Sequence, residues 1–167
     1  YSKEGKLKEA RAEFERALAL QPDMAKVHSA LGDVLVRMGE LDLAIARYEK
    51  ALEIDDQLAE THNNLGIAYG KKRRHEEAIE HYRRALQLNP NHLNIRLNLG
   101  APHELQGRPD LAIPQYVEIL ERAPGFVIVY AFLGRAYATM GRSEEAMHSY
   151  AMFLEKWQGD AKYAQVI

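Results

Sequence analysis

Residues 59–92 read AETHNNLGIAYGKKRRHEEAIEHYRRALQLNPNH, and the chain says nearly the same thing on either side of them. Asn64-Leu65-Gly66 returns as Asn98-Leu99-Gly100. Ala30-Leu31-Gly32 holds the same place before it and Phe132-Leu133-Gly134 after it. Gly32, Gly66, Gly100 and Gly134 therefore stand 34 residues apart. A fixed period of this length marks an array of small helical units, each packing on its neighbours, and not a globule with one core.

We number each unit from 1, starting at Ala25, Ala59, Leu93 and Val127. Position 7 is then Leu31, Leu65, Leu99 and Leu133, and position 8 is glycine in all four units. Position 20 is Ala44, Ala78, Ala112 and Ala146; position 24 is Tyr48, Tyr82, Tyr116 and Tyr150. Position 27 is Ala51, Ala85, Ile119 and Phe153; position 32 is Asp56, Pro90, Pro124 and Gln158. Two amphipathic segments appear per unit. In residues 59–92, Leu65, Ala68 and Tyr69 recur at helical spacing, as do Ala78, Ile79, Tyr82, Ala85 and Leu86. Gly39, Gly107 and Gly141 mark the turn between the segments, where a left-handed residue closes a helix, and Arg73 stands at that place in one unit. Pro22, Pro90 and Pro124 stop the second segment, because proline lacks the N–H and disfavours helix in the residue before it. Gly at position 8 and Ala at position 20 let the two helices of a unit approach closely, with the aromatic ring of position 24 filling the space beside them. Gly66→Leu should therefore overpack the crossing, at a cost of roughly 1–3 kcal/mol or more.

Leu-Gly at positions 7–8, Ala at 20, Tyr or Phe at 24, Ala at 27 and Pro at 32, with a 34-residue period, resemble the tetratricopeptide repeat (TPR) family. The resemblance covers essentially the whole chain. The family's Trp at position 4 is absent; His28, His62, Arg96 and Tyr130 stand there. The resemblance implies an all-α fold, a right-handed superhelix of antiparallel helix pairs whose first helices line a concave groove. The expected organisation is a single array. Residues 1–24 supply the second helix of an earlier unit, with Gly5, Ala10, Phe14, Ala17 and Pro22 in register. Residues 25–58, 59–92, 93–126 and 127–160 are complete units, and residues 161–167 begin a further or capping helix. Tyr1 falls in mid-pattern, so the chain reads as a piece of a longer array, whose end helices would be open to self-association.

Composition removes several classes. The 167 residues carry a formal net charge of −2, whereas general nucleic-acid binding needs a basic surface to replace counterions. Cysteine is absent, which excludes a disulfide framework and a thiolate zinc site and suits a reducing compartment. No apolar run approaches the roughly 20 residues of a membrane-spanning helix. A cytoplasmic location is the expectation. Histidines 28 and 62 share a repeat position and read as structural, and no pair of histidines has metal-ligand spacing. No phosphate loop, nucleophile elbow or catalytic dyad is visible. The expectation is a chain that is not an enzyme, needs no cofactor and holds no metal. The basic run Lys71-Lys72-Arg73-Arg74-His75 reads first as a solvated turn, with contact to an acidic partner, phosphate or RNA as the alternative.

In TPR-like units, positions 2, 5, 6, 9, 12 and 13 face the groove. Carried over by position, the first complete unit offers Ser29, Asp33 and Arg37, beside Lys26, Ala30 and Val36. The second offers Glu60, Asn63, Asn64, Ile67 and Lys71. The third offers Asn94, Leu97, Asn98, Ala101 and Leu105, beside Glu104. The fourth offers Ile128, Phe132 and Arg135, beside Ala131. Two features stand out. Asn64 and Asn98 share position 6, and a primary amide can donate to and accept from an extended peptide backbone at once. The second half of the groove gathers Leu97, Ala101, Leu105, Ile128, Ala131 and Phe132, an apolar anchor unless neighbouring helices cover it. TPR domains that clamp a chaperone's C-terminal carboxylate use lysine, arginine and asparagine. Here Ser29 and Asp33 replace the first pair, Asn94 and Asn98 the last, and Asp33 would repel a carboxylate. The third unit departs most. Pro102 lies inside its first helix and Pro114 deep in its second, each at a cost of roughly 3 kcal/mol in a regular helix, which predicts a kink or weak point. The function this implies is non-catalytic: a scaffold or adaptor holding a protein or peptide ligand in the groove, with no nucleic acid and no membrane insertion. The alternatives are the substrate-recruiting arm of a larger enzyme, such as a glycosyltransferase, and a self-assembling scaffold.

Overall fold

A computed structural model describes residues 3–157; the start of a further unit at 161–167 lies outside them. Among the described residues there are nine helices and no strand. They are α1 (Lys3–Leu20), α2 (Ala25–Met38), α3 (Leu41–Ile54), α4 (Ala59–Lys71), α5 (His75–Leu88), α6 (Leu93–Leu105), α7 (Pro109–Arg122), α8 (Ile128–Thr139) and α9 (Ser143–Lys156). The helices form two compact halves, each holding two complete 34-residue repeats and called the first and second unit from here on, α1–α5 and α6–α9, meeting in sequence between Asn91 and His92. In each, consecutive helices pack on one another, and in the first α2 also touches α4.

The repeat positions explain the packing. Ala44, Ala78 and Ala112 at position 20 are fully buried, and so are Leu31, Leu65 and Ala51, Ala85. A Cβ placed on Gly32 would sit 2.5 Å from the ring of Tyr48, and one on Gly66 would sit 2.7 Å from Tyr82. In the second unit Gly100 meets Tyr116, and Gly134 meets Tyr150, in the same way. Glycine at position 8 is thus required by the ring at position 24. In the second unit the core gathers Ala112, Tyr116, Ile119, Val129 and Leu133. At its far end Trp157 stacks on Phe153, with ring centres 5.9 Å apart.

The first helix of every complete repeat closes in one way. Gly39, Arg73, Gly107 and Gly141 have φ of 82°, 59°, 70° and 72°. The next N–H reaches back five residues, from Glu40 to Leu35, Arg74 to Tyr69, Arg108 to His103 and Arg142 to Tyr137, at 2.9–3.0 Å. These are Schellman closures, and their geometry demands a left-handed residue. Arg73 adopts that conformation although it has a Cβ, which costs on the order of 1 kcal/mol.

Pro102 and Pro114 lie inside α6 and α7, and both helices continue across them. Pro102 is itself buried and offers no N–H to the Asn98 carbonyl, so it thins the ladder of hydrogen bonds without ending the helix. Burial of Ile95, Leu99, Tyr116 and Ile119 on either side holds the two helices in place against the local cost.

Candidate binding faces

In the first unit the groove positions converge where α2, α3 and α4 meet. The Asp33 carboxylate accepts two hydrogen bonds on Oδ1, from the Tyr48 hydroxyl at 2.7 Å and from the Asn64 amide at 2.9 Å. The Asn64 carbonyl oxygen in turn accepts from Asn63 at 3.2 Å. One turn back along the same two helices, the Ser29 and Thr61 hydroxyls are 2.8 Å apart. Val36 and Ile67 stand half-buried beside Asp33, and Arg37 is exposed. Together Asp33, Val36, Arg37, Tyr48, Asn64 and Ile67 bound an open cleft of about 310 Å³. Burial, and then the bond to Asp33, push the Tyr48 phenol far above its usual range, so it stays a donor. Lys26, Glu60 and Lys71 are exposed at the ends of the same helices.

The Asn64 amide is therefore already part of a network. It keeps one N–H and one carbonyl lone pair for a ligand, less than the two of each that its side chain holds when isolated.

In the second unit the corresponding tyrosine, Tyr116, donates to Glu104 instead. Glu104 is also gripped by Arg135, from Nε to Oε2 at 2.8 Å and from the guanidinium NH2 to Oε1 at 3.2 Å. The Glu104 side chain is only 11% exposed. Arg135 lies over the Phe132 ring at 4.9 Å, and Phe132 tilts against Tyr116 with centres 5.7 Å apart. Leu97, Ile128 and Phe132 are half-buried against the core, and Ala131 is buried. The neighbouring helices thus take up much of the apolar set, while Leu105 remains 71% exposed. Asn94 is exposed, and Asn98 and Ala101 are half-buried.

The histidines divide by role. His28 and His62 turn Nε2 to the carbonyls of Pro22 and Asp56, at 2.8 and 3.2 Å, closing the loop that precedes their helix. His62 also meets His81 of α5, Nδ1 to Nδ1 at 3.0 Å, so one proton lies between the rings. Burial first, and for His62 also the charge of His81, hold both below the usual histidine range. His81 stacks on Tyr69, whose hydroxyl donates to Glu49. Of the basic run at the α4–α5 turn, Lys72 pairs with Asp42, and Arg74 pairs with Glu77 at 2.8 Å while covering the Tyr69 ring. Among the described residues no group of three or more histidine, cysteine or carboxylate residues is placed to hold a metal ion. No helix among them is long and apolar enough to cross a membrane.

Sequence reasoning named Asp33, Arg37, Asn64 and Ile67, which the fold brings together around one cleft. It missed the tyrosine hydroxyls. Position 24 reads as packing, and only the combination of a tyrosine there with a carboxylate on the preceding helix signals the polar anchor.

Among the described residues, antiparallel helix pairs that recur with a 34-residue period, packed within each unit, define a helical-repeat protein. The sequence model of the tetratricopeptide repeat matches residues 1–57, 23–91 and 57–125, and a second model of the same description matches 106–161. The chain belongs to the tetratricopeptide repeat family. A crystal structure of MamA is 28% identical, with 96% of this chain and 94% of that one covered and a TM-score of 0.89. YrrB, described as a TPR protein with an unusual peptide-binding site, is 26% identical over 89% of this chain and 77% of its own, with a TM-score of 0.76. PilF of Pseudomonas aeruginosa is 25% identical over 98% and 74%, with a TM-score of 0.80. No curated protein sequence matches the chain. Family and fold support a protein-interaction module.

Proposed function

We propose that the chain is a non-catalytic adaptor whose first helices hold an extended peptide or protein segment. The observation that carries this reading is the cleft of the first unit. A carboxylate, an amide and two half-buried aliphatic side chains surround open space on helices α2 and α4, and their positions are locked from below by Tyr48. Small sets of fixed polar groups on apolar walls are the general form of a recognition site. The Asn64 amide retains a donor and an acceptor, which suits the alternating groups of an extended backbone. YrrB, similar in fold, is described as having a peptide-binding site, which supports the same reading. In the second unit, Asn98 and exposed Leu105 offer a further amide and an apolar contact.

The test is selection from a phage-displayed library of random peptides. Synthetic versions of the selected peptides should bind the chain in titration calorimetry. Asn64→Ala combined with Asn98→Ala should weaken them about tenfold while leaving the helical circular dichroism unchanged. An empty selection, or peptides indifferent to the double substitution, overturns the proposal.

A further inference from the structure

Among the described residues, no cation is paired with the Asp33 carboxylate of the first unit. Asp33 Oδ1 accepts from Tyr48 and from Asn64, and both donors are neutral. Arg37 lies one turn along α2, the spacing at which Glu4 and Lys8 pair in α1, and it lines the same cleft. Among the described residues, however, no ion pair joins Arg37 to Asp33, and Oδ2 accepts no hydrogen bond. The second unit shows what neutralisation looks like here: Glu104 takes the tyrosine hydroxyl and is clamped on both oxygens by Arg135.

Resting on the reading of this face as a peptide groove, we propose that Asp33 is the specificity determinant of the first unit and receives one lysine or arginine side chain of the bound segment. The cationic head meets Oδ2 of Asp33. The aliphatic stem lies along Val36 and Ile67, which are half-buried walls of the same cleft. The Asn64 amide and the Tyr48 hydroxyl hold the carboxylate in one orientation before the ligand arrives, which reduces the ordering cost of binding. Arg37 sets the second half of the preference. Its guanidinium repels a further cation, so the segment carries a single basic residue at this point and not a basic run.

Asp33→Asn is the decisive variant. The asparagine carbonyl still accepts from Tyr48 and Asn64, so the packing is kept and only the charge is removed. Two selections are run from one phage-displayed library of random heptapeptides, on the wild-type chain and on Asp33→Asn, both checked for helicity by circular dichroism. The wild-type pool should be enriched in lysine or arginine at one register position, and that enrichment should vanish from the Asp33→Asn pool. Synthetic wild-type peptides should bind Asp33→Asn roughly threefold to tenfold more weakly, and raising the salt should narrow the gap. Replacing their basic residue by norleucine should cost the wild type the same factor and cost Asp33→Asn nothing. A wild-type pool whose peptides bind but show no basic preference, or an enrichment that survives Asp33→Asn, overturns this inference and leaves the groove reading standing. An empty wild-type selection overturns both.

Discussion

The two units solve one problem differently. In each, a buried tyrosine at position 24 must place its hydroxyl, and it does so on a carboxylate of the preceding helix. The first unit uses Asp33 at position 9, steadied by the neutral Asn64. The second uses Glu104 at position 12, clamped by Arg135. A shorter side chain three positions earlier leaves the charge at an open cleft. A longer one reaches the next helix and is consumed there. The same packing device, a tyrosine hydroxyl held on a carboxylate, thus leaves an unpaired charge at a cleft in one unit and builds a strut in the other.

The largest effect expected comes from striking the tyrosine itself. Gly32→Leu should expel the Tyr48 ring and cost about 1–3 kcal/mol or more in chemical denaturation. Gly66→Leu should cost less. It displaces Tyr82, whose hydroxyl has no carboxylate partner among the described residues, so the difference measures the anchor, about 1–2 kcal/mol. Equal costs would mean that the Tyr48–Asp33 bond adds nothing. Next comes the strut. Arg135→Ala leaves Glu104 nearly buried without its cation and should cost about 1–2 kcal/mol, moderated because Arg135 is half-exposed. Asn64→Ala should cost less than that, since Asp33 can be solvated, and the reverse order would erase the distinction between the units.

Smaller still is the turn. Arg73→Gly should raise stability by about 0.5–1 kcal/mol in a thermal melt, and Gly141→Arg should lower it, because both residues hold a left-handed φ. The smallest effect is a pH dependence. His62 and His81 are held below the usual histidine range, so the unfolded chain binds their protons more tightly. The stability they contribute is present above the ordinary histidine pKa, near 6.5, and is lost as the pH falls from there. Arg84 opposes protonation of His62, while Glu49, Glu77 and Glu80 favour that of His81. His81→Gln keeps a donor toward His62 and should flatten the melting temperature between pH 7 and pH 5. An unchanged slope would show that the pair does not titrate with folding.

Most of the fold was legible because one short rule recurs. Leu31, Gly32, Ala44 and Tyr48 predict their own burial, and their copies do the same 34 residues later. Pro102 and Pro114 were harder to read. Local propensity argues for a break, but burial of Leu99 and Tyr116 on either side carries both helices through. At the candidate site, direction was legible and pairing was not. Repeat position fixes which way Asp33, Asn64 and Arg135 point. Which of them meet depends on side-chain length, one bond longer in Glu104 than in Asp33, and periodicity carries no record of that.

The Trp157–Phe153 stack has a practical consequence. Trp157 is the only tryptophan of the chain, and it caps the last described helix. Tryptophan emission therefore watches the last described helix, whereas far-ultraviolet ellipticity averages over every helix. In an array whose contacts among the described residues run mostly between consecutive helices, the two signals should melt together only if unfolding is all-or-none. A fluorescence midpoint below the ellipticity midpoint would mean that the array frays first at α9, and the gap between the curves would report how strongly each repeat leans on the next.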